Sequence, residues 1–523
     1  MMQRLRCIAV LIFVSTSLLA QDDLTMSYFH GGDFKIRFGL SSSLLSGIGA
    51  RNSGLGGVIT GFHGDVSSTI HHPAALATFT RPAMIVDMTP SMMFSPYTFA
   101  DIDAEVESGV DSALVDYAIP QEKLSYPGLN IAFGQSGFSG SGGLVIPTNY
   151  GQIGFAVYRP LSLKLDVVGS GFSTMIETSK AIGDAVTVVQ FATTMSSSIE
   201  FYLDTRATSF TFARALTPKY SVGASLDWFD SHIKLDANFD LEGIMLLRQE
   251  GAVSGQEYVF NDPYDESIRT EDGEQNNLNQ WANGGFDGSG WGFKLSSIYL
   301  PTRWISVDAV FTLPQELNLK GQFEFVQNSM PALIAENLFS DNDDDEIFDV
   351  TELSLAKPTA TEQFINPSAD HMTLKMPGSL VLGTSLRLGD RSLLAFNFTQ
   401  YFGELSYSYL NYQQGIKFKQ GMRFGASFPF AWYLSPETAL LKFLGIKPLP
   451  RLRLGGGFIL ADEIKSGFSY QDLESDRTYS RSGLIIPAFS LGKSFTIIPR
   501  VVADVLIFSI PTSIFKMSFH YQF

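Results

Sequence analysis

The chain has 523 residues, of which 45% are hydrophobic and 17% are charged, and its formal net charge is −17. So acidic a balance argues against nucleic acid as a partner. The single cysteine excludes a disulfide-stapled fold and a cysteine-based metal site, and the absence of a later apolar run of about 18 residues excludes an α-helical membrane protein.

Residues 1–20 have the pattern of a secretory signal peptide. Arg4 and Arg6 precede the apolar run from Cys7 to Val14, and Ala20 ends a plausible cleavage site. We therefore expect export. Because Cys7 lies inside the apolar run, the mature chain would have no cysteine and no lipidated N-terminus.

A glycine-rich stretch follows, from Gly47 to Pro82, with the sequence GIGARNSGLGGVITGFHGDVSSTIHHPAALATFTRP. It has neither helical nor strand periodicity, and glycines this dense allow tight turns and close backbone packing. We interpret it as a hatch that fills a barrel, the alternative being a flexible glycine-rich linker. The predicted organisation is a signal peptide at 1–20, an N-terminal segment and hatch at 21–82, and a transmembrane β-barrel at 83–523.

Strict alternation of apolar and polar residues recurs in the rest of the chain, as at Ile416–Phe430 and Ile305–Phe325. Transmembrane strands must alternate because successive side chains face lipid and lumen. A soluble β-sandwich also alternates. Long polar segments at 238–287 and 327–371, together with a closing amphipathic strand that ends at Phe523, favour the barrel. Short turns are expected at 216–219, 300–303, 388–391 and 491–494.

Counting the strands predicts an all-β fold, a 14-stranded antiparallel transmembrane β-barrel with an N-terminal hatch in its lumen. The even number places both ends of the barrel in the periplasm. The predicted spans are 83–94, 126–137, 143–168, 193–215, 219–237, 288–300, 303–326, 372–388, 391–410, 415–432, 449–463, 479–491, 495–508 and 512–523.

Three stretches carry a resemblance to a known family: Gly49–Gly57 with His72–Ala77, Gly290–Lys294 running to Gly321, and Leu374–Ser385. The chain resembles the outer-membrane long-chain fatty acid and hydrocarbon transporter family (FadL/TodX type). His72 and Ala75 stand where that family has Asn and Gly. The hatch residues implied by the resemblance are Gly54, Gly56, Gly57, His72, Pro73 and Ala74.

The resemblance implies a transporter of the Gram-negative outer membrane. No enzymatic activity is expected, because no Ser-His or His-metal spacing is present. Long-chain fatty acids or other hydrophobic small molecules would be taken up passively and released sideways into the membrane. The implied partners are such a ligand, outer-membrane lipids and, during biogenesis, the barrel assembly machinery. The alternative is a hatch-bearing barrel with a structural or secretion-associated scaffold role. A non-specific porin is disfavoured because the hatch would block it.

Two sets of residues are candidates for the transport path. A lateral opening needs a break in strand pairing, for which Pro147, Gly151 and Gly154 are the candidates, with an ordinary bend or turn as the alternative. Cations that face inward by parity could hold a carboxylate head group, unless they pair with luminal acids such as Asp204 and Asp308. These cations are Arg159, Arg387 and Arg423, with Lys417 and Lys419 beside them.

The acidic segment from Asp341 to Glu352 has carboxylates at the positions of a calcium loop. Glu346 stands where the sharp turn of such a loop requires glycine, so a solvated acidic loop is the alternative. No other cofactor is predicted, and the scattered histidines have no catalytic or metal-binding spacing. The candidate ligands are Asp341, Asp343, Asp345, Asp349 and Glu352.

Overall fold

Most of the described residues of the protein are in β-strands. The computed structural model describes residues 25–42, 49–61, 64–90, 92–94, 103–113, 119, 121–135, 139–182, 185–250, 256–260, 278–327, 362–365, 371–388, 392–409, 412–429, 447–468, 477–498, 500–510 and 515–523.

The strands in the first half of the chain are β1 Thr25–Ser42, β2 Ala83–Thr89, β3 Met92–Phe94, β4 Leu124–Ser125, β5 Gly128–Gln135, β6 Ser139–Thr148, β7 Gly151–Ile182, β8 Ala185–Thr217, β9 Tyr220–Gln249, β10 Gln256–Phe260 and β11 Leu278–Tyr299. In the second half they are β12 Ile305–Thr312, β13 Gln315–Gln327, β14 Glu362–Ile365, β15 His371–Met376, β16 Gly378–Leu388, β17 Ser392–Phe402, β18 Leu405–Tyr409, β19 Tyr412–Phe428, β20 Lys447–Phe468, β21 Arg477–Ile498, β22 Val501–Ile510 and β23 Lys516–Gln522. The helices are α1 Ala50–Ser53, α2 Ser68–His71 and α3 Asp103–Ala113, with 3-10 turns at Pro73–Thr78 and Gln121–Lys123.

The strands form a closed antiparallel barrel of 14 strands, as predicted. In the second half of the chain, three barrel strands are each built from two segments, β12 with β13, β15 with β16 and β17 with β18, which are interrupted near Pro314, Pro377 and Gly403. The barrel closes where β2 pairs with β23, from Ala83 opposite Gln522 onward. Both ends of the barrel therefore lie on the same side.

Side chains alternate between the two faces of the wall. On β19, Arg423 is 7% exposed whereas its neighbour Phe424 is 57% exposed. Large apolar side chains are exposed in the same way around the barrel, and an outward apolar surface of this extent requires lipid. The belt includes Ile153, Phe155, Val157, Phe210, Phe212, Leu226, Trp228, Trp291, Leu295, Val307, Phe311, Leu382, Phe396, Phe402, Phe424, Ile485 and Phe489.

Two of the predicted boundaries are wrong. The predicted strand 143–168 is two strands, because the chain turns at Asn149–Tyr150 between β6 and β7. The predicted turn 491–494 lies inside β21, which continues to Ile498. Gly492 allows β21 to pack closely against Gly54, since a Cβ on Gly492 would lie 3.2 Å from Gly54 Cα. The turns predicted at 216–219 and 300–303 are confirmed.

A bulge in β19 also corrects the predicted parity of two lysines. The β19–β20 register shifts between Lys417 and Gln420, so Phe418 is buried while Lys417 and Lys419 are exposed. One extra residue in a strand moves the following side chains to the opposite face.

The residues that precede the glycine-rich stretch form a strand that no sequence pattern indicated. β1 pairs antiparallel with β7 and parallel with β5, so it is inserted into the wall as a strand additional to the 14 of the antiparallel barrel. None of the helices in the described part of the chain is long and apolar enough to cross a membrane.

Candidate functional site

Residues 49–61 and 64–82, here called the luminal segment, lie inside the barrel. The segment contacts each of the 14 strands of the wall, which is geometrically possible only from within a closed cylinder. Its wall contacts, strand by strand, are Ile85, Gly143, Gly154, Thr211, Gly223, Ser296, Asp308, Gly383, Asn397, Arg423, Gly455, Ser490, Asp504 and Ser518.

Glycine allows the luminal segment to meet the wall backbone to backbone. Gly56 has a φ of 74°, and a Cβ on it would lie 2.8 Å from Gly456 N. A Cβ on Gly455 would lie 1.9 Å from Gly56 N. The Gly56 N–H donates to Ser490 Oγ at 2.8 Å. Only glycine on both sides allows so close an approach.

An ion-pair network fixes the start of the luminal segment. The Arg51 guanidinium lies 3.3 Å from Asp65 and 2.9 Å from Asp504 of β22. Asp504 is also 2.8 Å from Arg453 and 3.0 Å from His520. Burial alone would raise the pKa of Asp65, but the charges of Arg51 and His520 and the hydrogen bonds from Ser67 together outweigh burial and hold that pKa below its ordinary value. The Arg51–Asp65 contact therefore stabilises the fold at neutral pH and is lost as the pH falls through the lowered pKa.

The predicted hatch residues His72, Pro73 and Ala74 meet the opposite side of the wall. His72 is 1% exposed, and its Nε2 lies 3.8 Å from Asp308 Oδ2. The same carboxylate oxygen accepts the Gly61 N–H at 3.1 Å, and the Ala74 N–H donates to Ser296 Oγ at 2.7 Å. The histidine at the position where the resembled family has asparagine thus faces an acidic wall residue.

A cavity of about 140 Å³ lies on the side of the luminal segment that is away from the short turns. Gly57, Ile59, Ile70 and His71 line it on the luminal-segment side. The opposing wall contributes mostly apolar side chains, which are Leu161, Phe229, Val310, Met376, Val381, Tyr401 and Leu405. Along their strands, these wall residues lie farther from the short turns than the wall residues that contact the luminal segment. The luminal segment therefore lies between the cavity and the short turns.

Two cationic side chains from the wall also line the cavity. The Lys294 Nζ is 2.5 Å from Asp227 Oδ2 and 3.1 Å from the Tyr158 hydroxyl. Arg423 donates from Nη1 to Gly57 O at 3.0 Å. Because Asp227 compensates the charge of Lys294, Arg423 supplies the positive charge of the cavity. Apolar walls with one such cation suit an amphipathic ligand with an acidic head.

Of the three arginines predicted as carboxylate ligands, Arg423 lines the cavity. Arg387 donates to Gly61 O at 3.2 Å, so it faces the luminal segment. Arg159 lies 3.5 Å from Asp204, as the ion-pairing alternative predicted. Sequence reasoning missed Lys294 and Tyr158, although Lys294 ends one of the motifs that carry the family resemblance.

Pro147, Gly151 and Gly154 lie on a paired hairpin. Pro147 is opposite Gln152, Gly151 is opposite Thr148, and Gly154 is opposite Val145. Gly154 is a close-packing position, because a Cβ on it would lie 2.2 Å from Thr69 of the luminal segment. This pairing favours the alternative to a lateral opening, which is that the three residues form an ordinary bend or turn.

A discontinuity in the wall occurs higher on β7, at Tyr158–Pro160, here called the junction. Val157 is the last β7 residue in register with β6, and Leu161 is the first in register with β1. The β7–β8 register also shifts between Tyr158 and Leu161. Pro160 has no N–H for a ladder, and the cavity extends to Tyr158 and Pro160.

The predicted calcium ligands, from Asp341 to Glu352, lie outside the described residues, so calcium stays a prediction. Within the described ranges, no group of three or more acidic, histidine or cysteine side chains could hold a metal ion.

No protein-family model and no curated protein matches the chain. Among solved structures, the toluene transporter TbuX of Ralstonia pickettii is 11% identical, with a TM-score of 0.41 over 92% of this chain and 99% of its own. A FadL homologue of Pseudomonas aeruginosa is 13% identical, with a TM-score of 0.43 over 91% and 98%. The toluene transporter TodX of P. putida is 11% identical, with a TM-score of 0.41 over 91% and 96%.

Proposed function

We propose that this barrel takes up hydrophobic small molecules, including fatty acids, across the outer membrane without an energy source. The observation that carries the proposal is a largely apolar cavity with two cationic side chains, placed between a luminal segment that contacts the whole wall and a discontinuity in that wall. An outward apolar belt and an even number of antiparallel strands are features of outer-membrane barrels.

The size of the cavity bears on the cargo. An engineered apolar cavity of about 150 Å³ holds one benzene molecule, and the cavity here is about 140 Å³. A single aromatic ring, or one segment of an acyl chain with its carboxylate near Arg423, fits this volume. Toluene is the cargo named for two of the similar solved structures.

Lateral release follows from the energetics of an apolar cargo. Transfer of each CH₂ group out of water is favourable by about 0.8 kcal/mol. Movement of an apolar cargo from the cavity into water along the barrel axis is therefore unfavourable. Passage through the wall at the junction would instead deliver the cargo directly to lipid. The junction lies beside the outward residue Val157, at the upper edge of the apolar belt.

The luminal segment would act as the hatch that closes the axial path. Its contacts with all 14 strands and its buried ion pairs support this role. A non-specific porin is therefore the less suitable reading.

The test is uptake of labelled oleate and labelled toluene by cells with and without the protein, together with analysis of lipids that co-purify in mild detergent. The proposal predicts faster uptake of at least one cargo and a bound apolar molecule. Unchanged uptake of both, with no bound acyl chain or aromatic compound, would reject it.

The scaffold alternative has one observation in its favour. β7, β8 and β9 have 32, 33 and 30 residues, whereas about ten suffice to cross a bilayer. The wall on this side therefore projects far beyond the apolar belt. A stable protein partner recovered by pull-down on the projecting strands, with no uptake activity, would favour a scaffold.

A further inference from the structure

The placement of β1 is an anomaly in this barrel. It pairs antiparallel with β7 from Thr25 opposite Glu177 to Ser42 opposite Leu161, and parallel with β5 from Asp33 opposite Gly128 to Gly39 opposite Gly134. Every described strand pair that lacks β1 is antiparallel. β1 therefore lies between two strands that would otherwise be neighbours.

Those two strands belong to one hairpin. β6, which continues β5, is paired with β7 from Thr148 opposite Gly151 up to Gly142 opposite Val157. Beyond Val157 the β7 register passes to β1 at Leu161. The junction, Tyr158–Pro160, is thus the point at which β1 separates the hairpin.

β1 is held in this position by its inward face. Phe34 and Ile36 pack against the buried side chains Leu129 and Ile131 of β5. Phe38 makes an edge contact with Phe133, the ring centroids being 5.9 Å apart. On the outward face, Lys35 and Arg37 are exposed, so β1 has the alternation of a wall strand.

Without β1, β5 could pair directly with β7, because both strands direct apolar side chains to the lumen. On the β5–β6 side, Leu129, Ile131 and Val145 are all buried at odd positions. On β7, Ala156 is buried before the junction, Tyr158 at its first residue and Leu161 after it, since the bulge shifts the parity by one residue. Beyond that bulge, a β6–β7 register extended to β5 without a further shift would set Phe133 opposite Val167, with both side chains directed inward.

We propose that β1 is a wedge that keeps the junction open. With β1 in the wall, the upper half of the hairpin is separated and the ladder changes partner at 158–160. With β1 out of the wall, β5 would pair with β7 directly and the discontinuity would close. Two alternative pairings of the same strands form a bistable element. The role of the junction in transport rests on the proposed function, whereas the two pairings do not.

Engineered cysteine pairs distinguish the two pairings, because the one cysteine of the chain is Cys7, in the predicted signal peptide. The wedge pair, Ile36→Cys with Val167→Cys, joins directly opposite residues of β1 and β7. The closure pair, Phe133→Cys with Val167→Cys, comes within disulfide distance only if β5 reaches β7. Cross-linking is read by peptide mass spectrometry on heat-modifiable, folded barrel.

In the full chain, the wedge pair should cross-link and the closure pair should not. After deletion of residues 25–42, or in the full chain with Ile36→Pro and Phe38→Pro, the closure pair should cross-link several-fold more. Proline removes ladder donors from β1 without shortening the chain. A closure pair that stays unlinked in both assembled variants, or that links fully when β1 is intact, would overturn the proposal.

The wedge pair gives a further test in the full chain. If β1 acts as a wedge, oxidation of this pair leaves cargo uptake unchanged, whereas deletion of β1 lowers it several-fold. A several-fold loss of uptake on oxidation, restored by reductant, would mean that β1 must leave the wall and would overturn the proposal. If the unaltered barrel transports neither oleate nor toluene, the proposed function fails while the cross-linking result on the wedge stands.

Discussion

At the scale of single residues, the chemistry of the cavity depends on which charges are committed to other contacts. Lys294 is in contact with both Asp227 and Tyr158, and Asp227 is fully buried. Removing the lysine alone would leave a buried, uncompensated carboxylate, which is strongly destabilising. Arg423 is the better position for a test, because its partner in the luminal segment is an uncharged carbonyl group, that of Gly57.

We expect Arg423→Met to weaken binding of a fatty acid by about tenfold, since a hydrogen bond to a charged group contributes about 1.5–3 kcal/mol. Binding of toluene, which has no head group, should change little. Titration of the purified barrel with each ligand measures both effects. Arg387→Met is the matched control, because Arg387 also donates to a carbonyl of the luminal segment, that of Gly61, but does not line the cavity. Equal losses in the two variants would contradict the assignment.

The glycines of the luminal segment offer a second test. Gly56→Ala introduces a Cβ at a φ of 74° and 2.8 Å from Gly456 N, so the segment must move away from the wall. We expect a loss of about 2 kcal/mol in the packing of the segment and a higher single-channel conductance in planar bilayers.

Gly64→Ala is the control for this substitution. Gly64 has a φ of 79°, but a Cβ on it would meet nothing within 4 Å. The backbone strain is therefore similar and only the wall contact differs. A conductance that rises equally in both variants would show that backbone strain, and not wall contact, opens the path.

At the scale of the element, the bulge of β7 decides which side chains face the lumen. Leu161 and Leu163 pack in an apolar cluster that includes Ile70 of the luminal segment, so they face the lumen. Lys164 lies on the opposite face, 3.3 Å from Asp166 and 3.0 Å from Glu200. Because strand alternation has a period of two, the one extra residue at Arg159–Pro160 sets the orientation of β7 from Leu161 to Gly169, where the next register shift occurs.

Deletion of Pro160 should therefore abolish barrel assembly, because it turns Leu161 and Leu163 outward and Lys164 inward. Heat-modifiable mobility on gels measures the folded fraction. Pro160→Ala retains the residue count, so it should assemble as the unaltered chain does. Normal assembly of the deletion variant would show that the bulge is dispensable.

At the scale of the whole molecule, the luminal segment and the wall are separate parts of one assembly. The wall closes through its own ladder, from β2 to β23, without any strand of the segment. The segment is tied to it by side-chain contacts such as Arg51–Asp504 and Ala50–Ser518. The wall should thus be stable without its contents.

Deletion of residues 49–82 should give a folded barrel with a large, constant conductance and with no preference for apolar cargo. Planar-bilayer recording and a solute-swelling assay with sugars measure these properties. A chain with the luminal contacts intact should admit sugars far more slowly. A deletion variant that is as impermeable as the full chain would mean that the segment is not what closes the barrel.

Much of this architecture was accessible from residue patterns. Alternation with a period of two, unequal connections and a terminal amphipathic strand predicted the 14-strand barrel correctly, since lipid on one face and lumen on the other impose that pattern on every strand. The glycine-rich stretch Gly47–Pro82 is interpreted as a hatch, and its described residues, 49–61 and 64–82, contact the wall closely because glycine has no Cβ. Its role as a hatch stays a prediction.

The tertiary structure alone decided which residues meet. That Lys294 and Arg423 share one cavity, and that Arg159 pairs with Asp204, depends on strand register and on bulges, which shift parity without leaving a signal in composition. The position of β1 in the wall, between β5 and β7, depends on pairing between segments far apart in the chain. Local sequence determines that a strand forms, but its neighbours are chosen by the closure of the whole sheet.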